Sequence, residues 1–443
     1  MTSASSPGIN AKKQSVPIIP HKIIWPFILL TSCFAWWGLA NNMTDTLLAA
    51  FKKIMSMSDF QTSWIQLAFY GSYFCLALPA AIFIKKYTYK SGVLLGLGLF
   101  ISGALLFYPA SITMNYFHFL GALYILAGGL SILETSANSY IIAIGPEETG
   151  TQRLNFSQSF NPVGSILGVF LSKVFVLSNL NPASAQERAA MSPEMLNKIQ
   201  LEELGAVMGP YVAVALVLII IWILIAANKT MPKATDTDNQ LNLGATLKRL
   251  FRNRHYVWGV VAQFFYVGAQ IGVWSFTIRY VMQELRLNEA DASSYYLAAL
   301  ILFMVSRFIC TGLMKIMTPR NLLLLLSIMA IVCTGIVIIS GGYVGVFALV
   351  AISGCMSLMF PTIYGLAVRG LGDDTKIGGS GLIMAILGGA VLTALQGQVS
   401  DMTGSISFAY IIPFICFIVI AYYAAVASCK DLPGRNNYQP TAD

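Results

Sequence analysis

The chain has 443 residues, 56% of them hydrophobic and only 10% charged, with a mean hydropathy of +0.70. A soluble chain carries about a quarter charged residues, so the composition excludes an ordinary soluble protein and predicts a polytopic membrane protein. The formal net charge of +8 lies in short loops and tails, with no basic cluster interleaved with aromatics, which argues against nucleic acid as a partner.

In chain order, residues 1–22 are polar and bear Ser and Pro, with no cleavable signal pattern, so insertion through the first apolar helix is expected. Apolar stretches near the roughly 20 residues a bilayer requires predict helices at about 23–50, 60–84, 91–114, 118–144, 154–178 and 208–227. They resume at about 256–283, 292–317, 321–341, 343–368, 376–400 and 407–428. The expected organisation is a tail (1–22), a six-helix bundle (23–227), a central loop (228–254), a second six-helix bundle (255–428) and a tail (429–443). Segments placed inside by this count hold nineteen Lys and Arg, against five in those placed outside, so both termini are expected in the cytoplasm. Two pseudo-symmetric six-helix bundles joined by a basic loop are the outline of a major facilitator transporter, an all-α fold of twelve transmembrane helices. A channel, a receptor or an intramembrane enzyme is the rival reading of hydropathy alone.

The seven cysteines lie mostly in apolar runs without a CxxC pair, and His21, His118 and His255 have no partner at ligand spacing. No metal and no cofactor are expected. Without HExxH or GxSxG, an enzyme is not expected either. Glycines recur in "GVLLGLGLFISGALLF" (92–107) and "GLIMAILGGAVLTALQG" (381–397), where close helix packing is the favoured role over bending.

A charge at mid-membrane costs about 2.5–3.5 kcal/mol on insertion scales, so each one retained there requires a reason. Asp45, Glu134, Arg279 and Arg307 fall inside predicted helices, whereas Arg153 and Asp401 fall at helix ends and are expected to reach water. Trp37, Asn41 and Asp45, spaced i, i+4, i+8, share one face of the first helix, flanked by Asn42. Glu134 and Asn138 repeat the i, i+4 spacing in the fourth; an ion pair with Arg279 or Arg307 is the alternative role for this acid. Two buried carboxylates on one cavity titrate as a coupled pair, as proton coupling requires. In the fifth helix Gln158 and Asn161 offer a bidentate amide face, and Pro162 is expected to free a backbone carbonyl toward the cavity. In the seventh, Gln263, Tyr266, Gln270 and Trp274 align, with ordinary packing as the alternative. A cavity lined by amides, acids and tryptophans suits a sugar: polar groups pair with its hydroxyls while indole stacks on its C–H faces.

The strings "WGLANNMTDTLL", "DFQTSWIQLAFYGSYF", "LETSANSYI", "IGPEETGTQRLNFSQSFNPVG", "YVGAQIGVWSF", "SRFICTGLMK" and "FPTIYGLAVRGLGDDTKIGGS" cover most of the chain, from about residue 25 to 425. In that order they resemble the fucose permease branch of the major facilitator superfamily. The resemblance implies a multi-pass bacterial inner-membrane symporter, a functional monomer in the lipid bilayer, that takes up the monosaccharide L-fucose or a related hexose with protons. By motif position it implies Asp45 as the proton-coupling acid and Glu134 as an acid of both protonation and substrate binding. It places Asn42, Gln158 and Asn161 at sugar hydroxyls and Trp37 and Trp274 beside the cavity. Gln270 joins the substrate-binding set from its place on the same helix face as Trp274. The loop after the second helix, "KKYTYKSG", is degenerate relative to the wider superfamily, a departure the branch shares. The branch also holds transporters of glucose, galactose and N-acetylglucosamine, some sodium-coupled. A sugar sensor that moves nothing is the reading from another class, weakened by tails of only about 22 and 15 residues.

Overall fold

The computed structural model describes residues 17–54, 59–176, 181, 183, 187–188, 190–229, 231 and 242–426. Among them every regular element is a helix. The first four spans are α1 (Ile24–Ile54), α2 (Asp59–Lys86), α3 (Tyr89–Thr113) and α4 (Tyr116–Ala143). The fifth is broken into α5 (Gly150–Gln158) and α6 (Phe160–Leu171), and the sixth is α7 (Pro193–Ala227). After the short α8 (Leu243–Arg252) come α9 (Arg254–Leu285), α10 (Glu289–Leu313) and α11 (Pro319–Ser340). The tenth span joins α12 (Gly342–Met356) to α13 (Met359–Val368). The eleventh joins α14 (Thr375–Met384) to α15 (Gly388–Thr403), and the twelfth joins α16 (Ile406–Ala409) to α17 (Ile411–Val426). Eleven of these twelve spans are long and apolar enough to cross a membrane. The exception is the fifth span, cut at Ser159 and polar in its first half.

Span starts are set by side chains that take up the orphan N–H groups of a first helical turn. Asn115 Oδ1 accepts from Phe117 N–H at 2.9 Å, Asn288 Oδ1 from Asp291 N–H at 2.8 Å, and Thr88 Oγ1 from Ser91 N–H at 3.1 Å. Between spans, glycine permits backbone-to-backbone approach. A Cβ on Gly164 of α6 would overlap the Ala35 carbonyl of α1, and one on Gly168 would lie 2.5 Å from Leu39 O. Six spans later the crossing recurs: a Cβ on Gly388 would overlap the Phe264 carbonyl of α9. In the predicted packing stretch 92–107, a Cβ on Gly96 would lie 2.5 Å from Leu133 N of α4. Packed this closely against α3, α4 is buried on every side from Leu126 to Ile141.

Proline explains how the two halves meet. Pro162 has no N–H to give the carbonyl four residues back, which leaves Gln158 O free; Pro361 likewise leaves Ser357 O free. The buried Arg307 of α10 takes both, donating from Nη1 to Gln158 O at 3.0 Å and from Nε to Ser357 O, while its guanidinium lies over the Phe303 ring at 4.5 Å. One cation thus ties a helix break in the first half to a helix break in the second. The carbonyl release expected at Pro162 is therefore present, but the carbonyl is taken up by an arginine of the other half instead of being offered to the cavity.

Further links between halves gather on the face that carries the α4–α5 connection. Asn155 Nδ2 donates to Thr362 Oγ1 at 3.1 Å, Gln152 Nε2 to Thr311 O at 3.1 Å, and the Ser139 and Tyr364 hydroxyls meet at 2.8 Å. The interval 228–254, expected as a loop, contains α8 on this face. Asn242 Oδ1 caps it, accepting from Ala245 N–H at 3.2 Å; Leu250 joins Ala81, Tyr256 and Ile377 in a small apolar cluster. Arg249 makes a bidentate pair with Asp374, at 2.7 and 2.6 Å. Arg153, expected to reach water, is instead fully buried. Its guanidinium donates to Ile141 O at 2.7 Å and Ile142 O at 2.6 Å, satisfying the last carbonyls of α4, where a helix end favours a cation. Asp401 is exposed, as expected for its place near the end of α15.

Two outcomes follow from this packing. Gly164→Val should lower the thermal midpoint in detergent by an amount corresponding to about 3 kcal/mol or less, from overpacking, whereas Gly205→Ala, in the interior of α7 with nothing within 4 Å, should leave it unchanged or slightly raised. Equal midpoints for the two variants would contradict the close α1–α6 crossing. Arg307→Met removes hydrogen bonds from a charged donor, each about 1.5–3 kcal/mol. Spin labels at the exposed residues Glu148 and Arg369 should then move apart in a pulsed dipolar measurement; an unchanged distance distribution would show that Arg307 does not hold the halves together.

Candidate functional site

Of the acids and amides picked out from sequence, Glu134, Asn138 and Gln158 meet where α4 faces α5. Glu134 projects from the most enclosed stretch of α4; it is 3% exposed, and neither carboxylate oxygen has a hydrogen-bond partner among the described residues. Asn138 stands one turn on. Its Oδ1 accepts from Gln158 Nε2 at 2.8 Å, and its Nδ2 is unpaired. Glu134, Asn138 and Gln158 therefore form one polar patch whose outermost acceptors and donor are unmatched among the described residues. A buried carboxylate without a partner is costly, and that cost falls when the acid carries a proton or when a ligand supplies donors.

An ion pair does not fill that role. Arg307 is engaged with the two carbonyls described above, and Arg279 is exposed, lying over the Phe276 ring at 5.6 Å. Asp45 lies within α1, but its side chain falls outside the described residues. Asn41 is half-buried on the same helix, and Asn42 Nδ2 donates to Gly38 O of its own helix at 3.2 Å.

The paired amide face expected of Gln158 and Asn161 is only partly open. Gln158 already donates to Asn138, while Asn161 Nδ2 makes a long contact of 3.4 Å to Phe34 O across the tight α1–α6 crossing. Both tryptophans are pinned through their indole N–H groups. Trp37 Nε1 donates to the Tyr73 hydroxyl at 3.1 Å, and Trp274 Nε1 donates to Ser353 Oγ at 3.2 Å. Each is left to present ring faces and edges rather than a hydrogen-bond donor; Trp274 also meets Phe303 edge-on at 5.0 Å.

The predicted face of α9 divides by role. Tyr266 donates its hydroxyl to Met356 O at 3.2 Å and is structural. Gln270 is half-buried, and Gln263 is fully buried with both amide atoms unpaired. The structure adds groups that sequence reasoning passed over: Tyr73, the Ser139–Tyr364 pair, and Thr393 with Gln396 of α15, whose buried polar atoms lack partners. Tyr73 sits in "LAFYGSYF", where tyrosine among aromatics reads as packing. Only its contact with Trp37 distinguishes it.

With the geometry in hand, comparison with known proteins places the chain. Residues 27–385 match the model of the Major Facilitator Superfamily. The L-fucose-proton symporter of Haemophilus influenzae is 40% identical over 425 residues, 94% of this chain and 98% of that protein. The glucose/galactose transporter of Brucella abortus is 32% identical over 401 residues, 90% of this chain and 93% of that protein. The crystal structure of a Major Facilitator Superfamily transporter, FucP, in the outward conformation superposes with a TM-score of 0.87 at 39% identity, covering 92% of this chain and 99% of that one. The symmetric glycine crossings, the twelve spans and these relationships agree: the chain belongs to the L-fucose-proton symporter (fucose permease) family of the Major Facilitator Superfamily.

Proposed function

We propose that this protein is a secondary active transporter that carries L-fucose, or a closely related hexose, across the bacterial inner membrane together with protons by alternating access. The observation that carries the reading is Glu134: a buried carboxyl, neither of whose oxygens meets a hydrogen-bond partner among the described residues, beside the Asn138–Gln158 amide patch, in a chain 40% identical to an L-fucose-proton symporter. Such an acid can exchange a proton for the donors of a sugar, so proton and sugar affinities are reciprocally linked. Asp45, on the face of α1 that also bears Trp37, is the second coupling acid. Asn42, Gln158, Asn161 and Gln270 supply polar contacts, and the pinned rings of Trp37 and Trp274 supply apolar walls.

The positive-inside bias supports placing both termini in the cytoplasm. On that orientation the links through Arg307, Tyr364 and Asn155 close the cytoplasmic side, and the conformation is outward-facing. The coupling ion is the proton, no cofactor takes part, and the working unit is a monomer.

Counterflow in proteoliposomes loaded with L-fucose, galactose, glucose, rhamnose or N-acetylglucosamine, with and without a pH gradient, tests the substrate and the ion together. L-fucose should exchange fastest and accumulate only with the inside alkaline. Preference for glucose and galactose would move the protein to the reading its 32%-identical relatives carry, and accumulation driven by sodium alone would replace the coupling ion. Asp45→Asn should abolish uphill accumulation while leaving equilibrative exchange; pH-driven accumulation at the normal level would remove Asp45 from the coupling role. Glu134→Gln should keep a buried polar group but lose the ionisable one, flattening the pH dependence of sugar affinity. An unchanged pH profile would make Glu134 structural.

A further inference from the structure

We propose that the hydroxyl of Tyr73 is a sugar-binding group, donating to a hydroxyl oxygen of the monosaccharide that also meets Glu134. The inference rests on the transport reading above. A phenol has one proton to donate and lone pairs to accept with. Here the acceptor side is occupied by the indole N–H of Trp37 at 3.1 Å, and among the described residues the phenol's own proton has no acceptor. Tyr73 is 2% exposed, so bulk water does not readily take its place. A buried donor left unmatched is destabilising, and native proteins retain few of them without a reason.

Its surroundings indicate what the missing partner is. Ser131 Oγ of α4 donates to Tyr73 O at 3.0 Å, which sets Tyr73 level with the turn of α4 that precedes Glu134. The Glu134 oxygens are buried acceptors without donors. One turn earlier on α2, the ring of Tyr70 lies 3.5 Å from where a Cβ on Gly389 would sit, so this side of α2 faces the second half. Midplane sites of such transporters lie between their halves. An unmatched donor and an unmatched pair of acceptors thus share one region of that junction. A single alcohol meets both residues, accepting from Tyr73 and donating its one proton to one Glu134 oxygen. The Trp37 indole, held by the same phenol, is fixed in orientation as the adjoining apolar wall, so one residue sets both a polar and an apolar contact. The Tyr73 ring rests against Phe69, with centroids 5.3 Å apart, and that packing does not depend on the hydroxyl.

The test is calorimetric binding to purified protein of L-fucose and of its analogues that each lack one hydroxyl, with unmodified protein, Tyr73→Phe and Trp37→Phe. Tyr73→Phe should weaken L-fucose about tenfold. One deoxy analogue should bind unmodified protein and Tyr73→Phe equally well, because the hydroxyl that Tyr73 contacts is already gone. Trp37→Phe keeps the phenol and should keep the penalty for that same analogue; Tyr73→Met, which also lacks the hydroxyl, should single out the same analogue and provides the reading if Tyr73→Phe folds poorly. An equal loss across all analogues in Tyr73→Phe, or no loss at all, would overturn the assignment, as would Trp37→Phe losing discrimination against that analogue. Failure of unmodified protein to bind any of these sugars would instead overturn the L-fucose reading and the Tyr73 assignment with it.

Discussion

The arrangement of the two halves turns on one cation and two prolines. A proline inside a helix leaves one carbonyl without its donor. In water such a carbonyl is hydrated; in a membrane protein it must find a partner within the protein. The carbonyls released by Pro162 and Pro361 belong to opposite halves, and Arg307 reaches both. A lone arginine at that depth is costly, and so are two lone carbonyls, so each defect relieves the other. The interaction is also reversible in principle, because it joins halves through hydrogen bonds rather than through a continuous apolar interface.

The polar site gains its character from the same break. The turn at Ser159 that separates α5 from α6 carries Gln158, whose carbonyl goes to Arg307 and whose amide goes to Asn138 beside Glu134. The residue that receives the strut between halves is therefore the residue that orients the amide next to the buried acid. Two residues, Asn138 and Gln158, thus stand between the buried acid and the contact between halves.

Around this centre most polar side chains are held by neighbours, while a few are left over. Trp37, Trp274, Asn161 and Tyr266 are tied to adjacent helices. Glu134, the Asn138 amide nitrogen and Gln263 are not. Groups that are held give the cavity its shape, and groups left unmatched mark where a ligand or a proton replaces a missing partner.

The sequence by itself determined the class, the number of spans and the identity of the intramembrane acids, because each follows from local rules: helix length against bilayer thickness, cap residues at span ends and the cost of charge in hydrocarbon. It also marked Pro162 as a point where a carbonyl would be released. Only the tertiary structure decided who takes that carbonyl, since Gln158 and Arg307 are 149 residues apart and no periodicity connects them. The same holds for Arg153, placed at a helix end by sequence but enclosed by the carbonyls of α4, and for α8, whose helix is stabilised by docking on distant spans. Tyr73 looked like packing for this reason too. Its one informative contact, with Trp37, forms across two helices, and hydrogen bonds between helices are settled by three-dimensional proximity rather than by order along the chain.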